Sequence, residues 1–128
     1  MKPRQAGRGR LTRSAEFERV YRQGRSHANR YLVLYTFPNP SVSEPRVGFS
    51  VSRRVGGAVQ RNRVKRLLRE AVASSGAQLP GGCDVVLVAR PDVLRLAESE
   101  GLAGVARALA ELVAKAQPQE REQRRRAA

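Results

Sequence analysis

Residues 53–70 read RRVGGAVQRNRVKRLLRE, from Arg53 to Glu70. The pair Gly56-Gly57 sets a turn, and the residues after it have the spacing of a helix over about Ala58 to Ser74. Val64, Leu67, Leu68, Ala71 and Val72 recur at i, i+3, i+4, i+7 and i+8, the stripe of a helix that buries one side. At about 100° per residue, Asn62, Lys65, Arg66 and Arg69 gather on the opposite side, with Arg61 and Arg63 along its edges. The helix is apolar inside and cationic outside, so the rest of the chain has to supply a surface for its inner side.

That surface is a sheet. Upstream, RVGFSVS (Arg46 to Ser52) alternates Val47, Phe49 and Val51 with Gly48, Ser50 and Ser52. This predicts a strand with one core face and one small, polar face, which leaves room for something to lie on it. Downstream, DVVLVAR (Asp84 to Arg90) is a continuous apolar run, expected as a central strand buried on both faces. Further upstream, RSHANRYLVLYTF (Arg25 to Phe37) predicts a strand broken near Ala28-Asn29-Arg30 into a short piece and a main one. Tyr31, Val33, Tyr35 and Phe37 are expected on one face of the main strand, with Leu32, Leu34 and Thr36 on the other.

Two more helices complete the pattern. Ser14 has the character of an N-cap, Glu16 and Glu18 suit the first turn, Phe17, Val20 and Tyr21 share a face, and Gly24 is a stop. The first helix therefore spans about residues 14–23. A last helix is expected from Ser99, with Leu102, Val105, Leu109, Leu112, Val113 and Ala116 in register, ending before Pro118. The order predicts an α+β sandwich around a mixed sheet, one domain over residues 14–117. Residues 1–13 read as a flexible basic arm, suited to nucleic-acid backbone or to solubility, and residues 118–128 as a disordered basic tail.

Charge narrows the partners. The chain of 128 residues carries a formal net charge of +14. Residues 1–70 hold seventeen Lys or Arg against four acids, and the remainder holds eight against seven. Arginines outnumber lysines 22 to 3, and the guanidinium fork binds phosphate bidentately and stacks on bases. No apolar run approaches the roughly 20 residues that span a bilayer, and the start MKPRQAGRGR lacks the apolar segment of a secretory signal, so a cytoplasmic location is expected. The single Cys83 excludes an internal disulfide, and with the single His27 it cannot build a structural zinc site.

Catalytic groups are scarce. Asp84 and Asp92 are the only aspartates, each at a strand boundary, and no carboxylate cluster suggests a pair of bound metal ions. Gly56-Gly57 is followed by no Walker-type lysine before Ser or Thr, so it reads as a turn that also bares backbone amides near a helix N-terminus, where phosphate binds. The basic side of the central helix admits three readings. As a solvated face it lacks interleaved acids until Glu70, and as a membrane surface its apolar side is needed for the core. Nucleic-acid backbone suits it, with Asn62 placed to meet a 2′-hydroxyl or a base edge.

The string itself is specific. The chain resembles the protein subunit of bacterial ribonuclease P through Leu11, Phe17, Val20, Gly24, Asn29-Arg30, Arg46-Val47-Gly48, Val51-Ser52-Arg53-Arg54, Gly56, Ala58-Val59, Arg61-Asn62-Arg63-Val64-Lys65-Arg66, Leu68-Arg69-Glu70 and Asp84 to Arg90. The resemblance covers roughly residues 11–116. It implies a two-layer sandwich with a four-stranded mixed sheet and a left-handed β-α-β crossover, like the second domain of a small-subunit ribosomal protein. It further implies that the chain joins a catalytic RNA that removes the 5′ leader of precursor tRNA, with magnesium required by the RNA and no cofactor or catalytic residue in the protein. No membrane and no protein partner is implied.

By the same resemblance, Arg53, Arg54, Arg61, Asn62, Arg63, Lys65, Arg66 and Arg69 would bind the catalytic RNA. Phe17, Tyr21, Tyr35, Ser50 and Ser52 would line a cleft for the single-stranded leader, although Phe17 also suits a core position. Arg53-Arg54 stands where two lysines are common in the family, which keeps the charge and alters the geometry. An RNA-binding protein without a cleavage partner is the alternative from the residues alone, and a self-sufficient nuclease is disfavoured by the scarcity of aspartate.

Overall fold

The computed structural model describes residues 14–74, 79 and 81–127, with the backbone alone for residue 14 and residues 117–127. In chain order the elements are α1 (Ser14–Gln23), β1 (Arg25–Ala28), β2 (Leu32–Pro38), β3 (Arg46–Ser50), α2 (Ala58–Ser74), β4 (Cys83–Ala89) and α3 (Val93–Ala127). The strands form one sheet in the order β1-β2-β4-β3, antiparallel except for the parallel pair β3–β4. The expected α+β sandwich with a four-stranded mixed sheet is therefore present, with α2 bridging the parallel pair. The basic arm expected over residues 1–13 lies outside the described residues.

Local chemistry explains where the elements break. At the end of α1 the Gly24 amide donates to Val20 O at 2.9 Å, and a Cβ at Gly24 would lie 2.3 Å from Thr36 O. Only glycine lets the chain pass this close to β2. Between β1 and β2 the Asn29 side chain makes the corner: its Oδ1 accepts from the Tyr31 and Leu32 amides, both at 2.9 Å, and its Nδ2 donates to Ala108 O at 3.0 Å. One amide side chain thus closes the hairpin and ties it to α3.

Alternation puts the core on one face. Leu32 and Leu34 of β2 join Val85 and Leu87 of β4 beneath Val64 and Leu68 of α2 and Val105, Leu109 and Leu112 of α3, all fully buried. Each such side chain contributes roughly 1.5–3 kcal/mol by leaving water. On the opposite face α1 forms a partial cover, with Val20 against Val86 and with Phe17, Tyr35, Phe37 and Val88 packed around them. β4 is buried on both faces because α2 and α3 cover Val85 and Leu87 on one side and α1 covers Val86 on the other.

Four expectations are corrected. β2 starts at Leu32, so Tyr31 leaves the alternation and packs with the α2–α3 core instead of sharing a face with Tyr35. β3 stops at Ser50, which places Ser52 in the following turn, where its Oγ accepts from the Arg54 amide at 3.3 Å. α3 begins at Val93 and not at Ser99: Asp92 stands before its first turn, and Val93, Leu96 and Ala97 continue the buried stripe. Gly101 interrupts that helix at φ 59°, ψ −144°, a conformation open essentially to glycine. The backbone then stays helical through Ala127, past Pro118, because the residues beyond the proline are mostly strong helix formers. Among the described residues no helix is long and apolar enough to cross a membrane.

Candidate nucleic-acid interface

The turn from β3 into α2 is anchored by one apolar residue. Val55 is buried in the core and donates its amide to Ser52 O at 3.0 Å, leaving Arg53 and Arg54 exposed beside it. The helix is capped from within: Gln60 Oε1 accepts from the Gly57 amide at 2.9 Å, and the Arg61 amide donates to Gly57 O at 2.8 Å. This corrects the reading of Gly56-Gly57 as a source of bare amides, since the Gly57 donor is already engaged. The larger attraction for an anion at this surface comes from its charged side chains.

Those side chains are available. Arg53, Arg54, Asn62, Arg63, Arg66 and Arg69 are exposed, and Arg61 and Lys65 are half-buried along the edges of the stripe. Among the described residues none of these cations takes part in an ion pair, whereas Arg22, Arg30, Arg46 and Arg107 elsewhere each face a carboxylate. Arg69 lies with its guanidinium carbon 5.9 Å from the Phe49 ring centroid, so it covers the edge of β3. Seven cations on one turn and one helix repel each other, and a polyanion relieves that repulsion.

The other face of the sheet carries a groove. Strand register sets out its floor: Ser26, Tyr35, Val86 and Gly48 lie in one row across the four strands, and Ala28, Val33, Val88 and Ser50 in the next. α1 forms the wall. Phe17 meets Tyr21 edge to face at 6.4 Å, and Tyr21 meets Tyr35 edge to face at 4.9 Å. Tyr21 remains 39 % exposed, so these rings form a ladder that solvent reaches and not a sealed core. Phe37, one row further along, has Arg19 over it at 5.9 Å.

A buried ion-pair chain fixes the far end of this wall. Arg46 of β3 donates through Nε and an Nη to both oxygens of Asp84 at 2.9 Å, and its other Nη lies 3.0 Å from Glu16 of α1. Asn39 also donates to Asp84, at 3.1 Å. The hydrogen bond to Asp84, together with the charges of Asp84 and Glu16, holds the Arg46 pKa above its ordinary value in spite of burial. This arginine is engaged by carboxylates on two elements. Among the described residues no three His, Cys, Asp or Glu side chains come together as a metal site.

Known proteins resemble this chain in sequence and in fold. The family model for ribonuclease P matches residues 6–116. The chain belongs to the ribonuclease P protein family. The ribonuclease P protein component of Brevibacillus brevis is 46 % identical over 84 residues, 66 % of this chain and 67 % of that protein. The same component from Bacillus pumilus is 40 % identical over 93 residues, 73 % of this chain and 78 % of its own length. Among solved structures, the Staphylococcus aureus ribonuclease P protein has a TM-score of 0.74 at 30 % identity, covering 84 % of this chain and 94 % of its own. The Thermotoga maritima protein has a TM-score of 0.73 at 30 % identity, covering 83 % and 96 %.

Set beside this family, the predicted residues fall into two groups. The eight on the turn and on α2 form one outward surface. Phe17, Tyr21 and Tyr35 come together across α1 and β2, and Ser50 lies one row from Gly48 on the same floor. Ser52 is separated from them, in the turn toward Arg53. Val33 lies on the face of Tyr35 as the alternation requires, whereas Val88 escapes a reading of the sequence because strand register decides its place. Val59 is also unforeseen: it is 82 % exposed in the first turn of α2, an apolar side chain among cations.

Proposed function

We propose that this chain is the RNA-binding protein subunit of a ribonuclease P, acting in the cytoplasm with a catalytic RNA to remove the 5′ leader of precursor tRNA. The observation that carries this reading is the set of cations on the outer side of α2 and its preceding turn, which face no carboxylate within the described chain. Arg53, Arg54, Arg61, Arg63, Lys65, Arg66 and Arg69 take the phosphates of the catalytic RNA, and Asn62 takes a sugar hydroxyl or base edge. The leader lies in the groove between α1 and the sheet, with bases against Tyr21 and Tyr35 and the small residues Gly48 and Ser50 leaving it room. Stacking of this kind accepts any base, as a leader of varied sequence demands.

Hydrolysis is assigned to the RNA, with the magnesium ions it holds. The aspartates of the chain are committed to structure, Asp84 to Arg46 and Asn39 and Asp92 to Arg30. Adding the purified chain to a bacterial ribonuclease P RNA at low magnesium should restore cleavage of precursor tRNA, while the chain alone should release no leader. Cleavage by the chain alone, or no gain with the RNA, would remove the reading in favour of a protein nuclease or of a general RNA-binding protein.

A further inference from the structure

We infer that Glu16 and Arg46 are positioning residues for the leader groove, holding α1 at the height above the sheet at which its aromatic wall meets a base; this rests on the leader reading proposed above. α1 has only ten residues, too few to be stable without its tertiary contacts. Two pins hold it. At its C-terminal end Gly24 presses against the backbone of Thr36, a contact in which no side chain is involved. At its N-terminal end the tie is the ion pair Glu16–Arg46 at 3.0 Å, with both side chains only 19 % exposed.

Register shows why this pair controls the groove. Phe37, Asp84 and Arg46 form a row across β2, β4 and β3, directly beside the row of Tyr35, Val86 and Gly48 that forms the floor. Phe17, the first ring of the ladder, follows Glu16 in sequence, and Tyr21 lies one turn further on. The anchoring arginine is itself rigid, because Asp84, at 2 % side-chain exposure, receives two of its hydrogen bonds. Glu16 therefore fastens the rings to a point set by the buried sheet. An ammonium at position 46 would supply a point charge without the fork that spans both carboxylates.

Glu16→Gln removes the charge from the tie to α1, leaving at most a neutral hydrogen bond to Arg46, and keeps Arg46 on Asp84, so the sheet and α2 stay intact. In the reconstituted holoenzyme its preference for precursor over mature tRNA should fall about three- to tenfold, the loss expected when a charge-assisted hydrogen bond becomes a neutral one. The affinity of the protein for the catalytic RNA should stay within about twofold, because the α2 surface is unaltered. Glu16→Asp should keep part of the preference. The chain has three tyrosines, so the ring protons of Tyr21 and Tyr35 can be followed by NMR. In Glu16→Gln these should move toward random-coil positions as the rings part.

An unchanged preference in Glu16→Gln, with Tyr35→Ala still impaired, would overturn the positioning role and spare the leader reading. If neither variant alters the preference, the leader reading fails and this inference with it. Equal loss of catalytic-RNA affinity in Glu16→Gln would also overturn it, by revealing a general folding defect.

Discussion

The two faces of the sheet are built on different principles. Under α2 and α3 the contacts are aliphatic and fully buried, and the helices cover the face from β2 to β3. Under α1 the cluster has two fully buried residues, Val20 and Val86, ringed by half-buried aromatic side chains. The first face secures stability and offers its partner only the outer side of a helix. The second gives up part of its burial and keeps rings and small residues within reach of a ligand. The proposed function, a folded RNA on one side and a flexible strand on the other, would call for both arrangements.

The sharpest way to break this contrast is a matched pair on β4. Leu87→Ala opens a cavity on the closed face and should cost about 2–5 kcal/mol in chemical denaturation. Val88→Ala, its neighbour on the groove floor, should cost far less stability and weaken leader binding. Equal destabilisation by the two would show that the faces do not differ as described. Next in size, replacing both Arg61 and Arg66 by Ala should weaken binding to the catalytic RNA and lower its salt dependence by roughly two units in log–log slope. A slope that does not move would exclude these side chains from phosphate contact.

Tyr35→Ala acts on the open face alone. It should reduce the preference for precursor over mature tRNA by about 1–3 kcal/mol, with catalytic-RNA affinity retained. The smallest effect is expected at the break in α3. Gly101→Ala meets no atom within 4 Å but puts a side chain at φ 59°, ψ −144°, so a loss of roughly 1–3 kcal/mol in stability should appear with no change in RNA binding. A larger loss, or a change in binding, would make that break part of the interface.

Much of the closed face was legible in the sequence, because a helix that buries one stripe and a strand that alternates both announce which side is inward. Val64, Leu68 and Ala71 are buried as the periodicity requires. The bounds of α1 are as expected from Ser14 and Gly24. Legibility falls off where the deciding partner is distant in sequence. Arg46 belongs to a recognisable motif, yet its task depends on Asp84, 38 residues away, and on Glu16 of another element. The start of α3 was missed because Ser99-Glu100 resembles a helix beginning, while the true first turn follows Asp92. From sequence Gly57 reads as a bare amide, because the reach of Gln60 back to it is a matter of side-chain conformation.

The parallel pairing of β3 with β4 carries a consequence for how the molecule assembles. Residues Arg46 and Asp84, neighbours in the sheet, are separated by a loop that contains the whole cationic helix. The hairpin β1–β2 closes over a few residues, whereas this loop must be ordered before its strands gain anything from pairing. Its cations oppose that closure until a counter-charge arrives. Where closure of this loop limits the rate of folding, refolding should quicken in the presence of RNA.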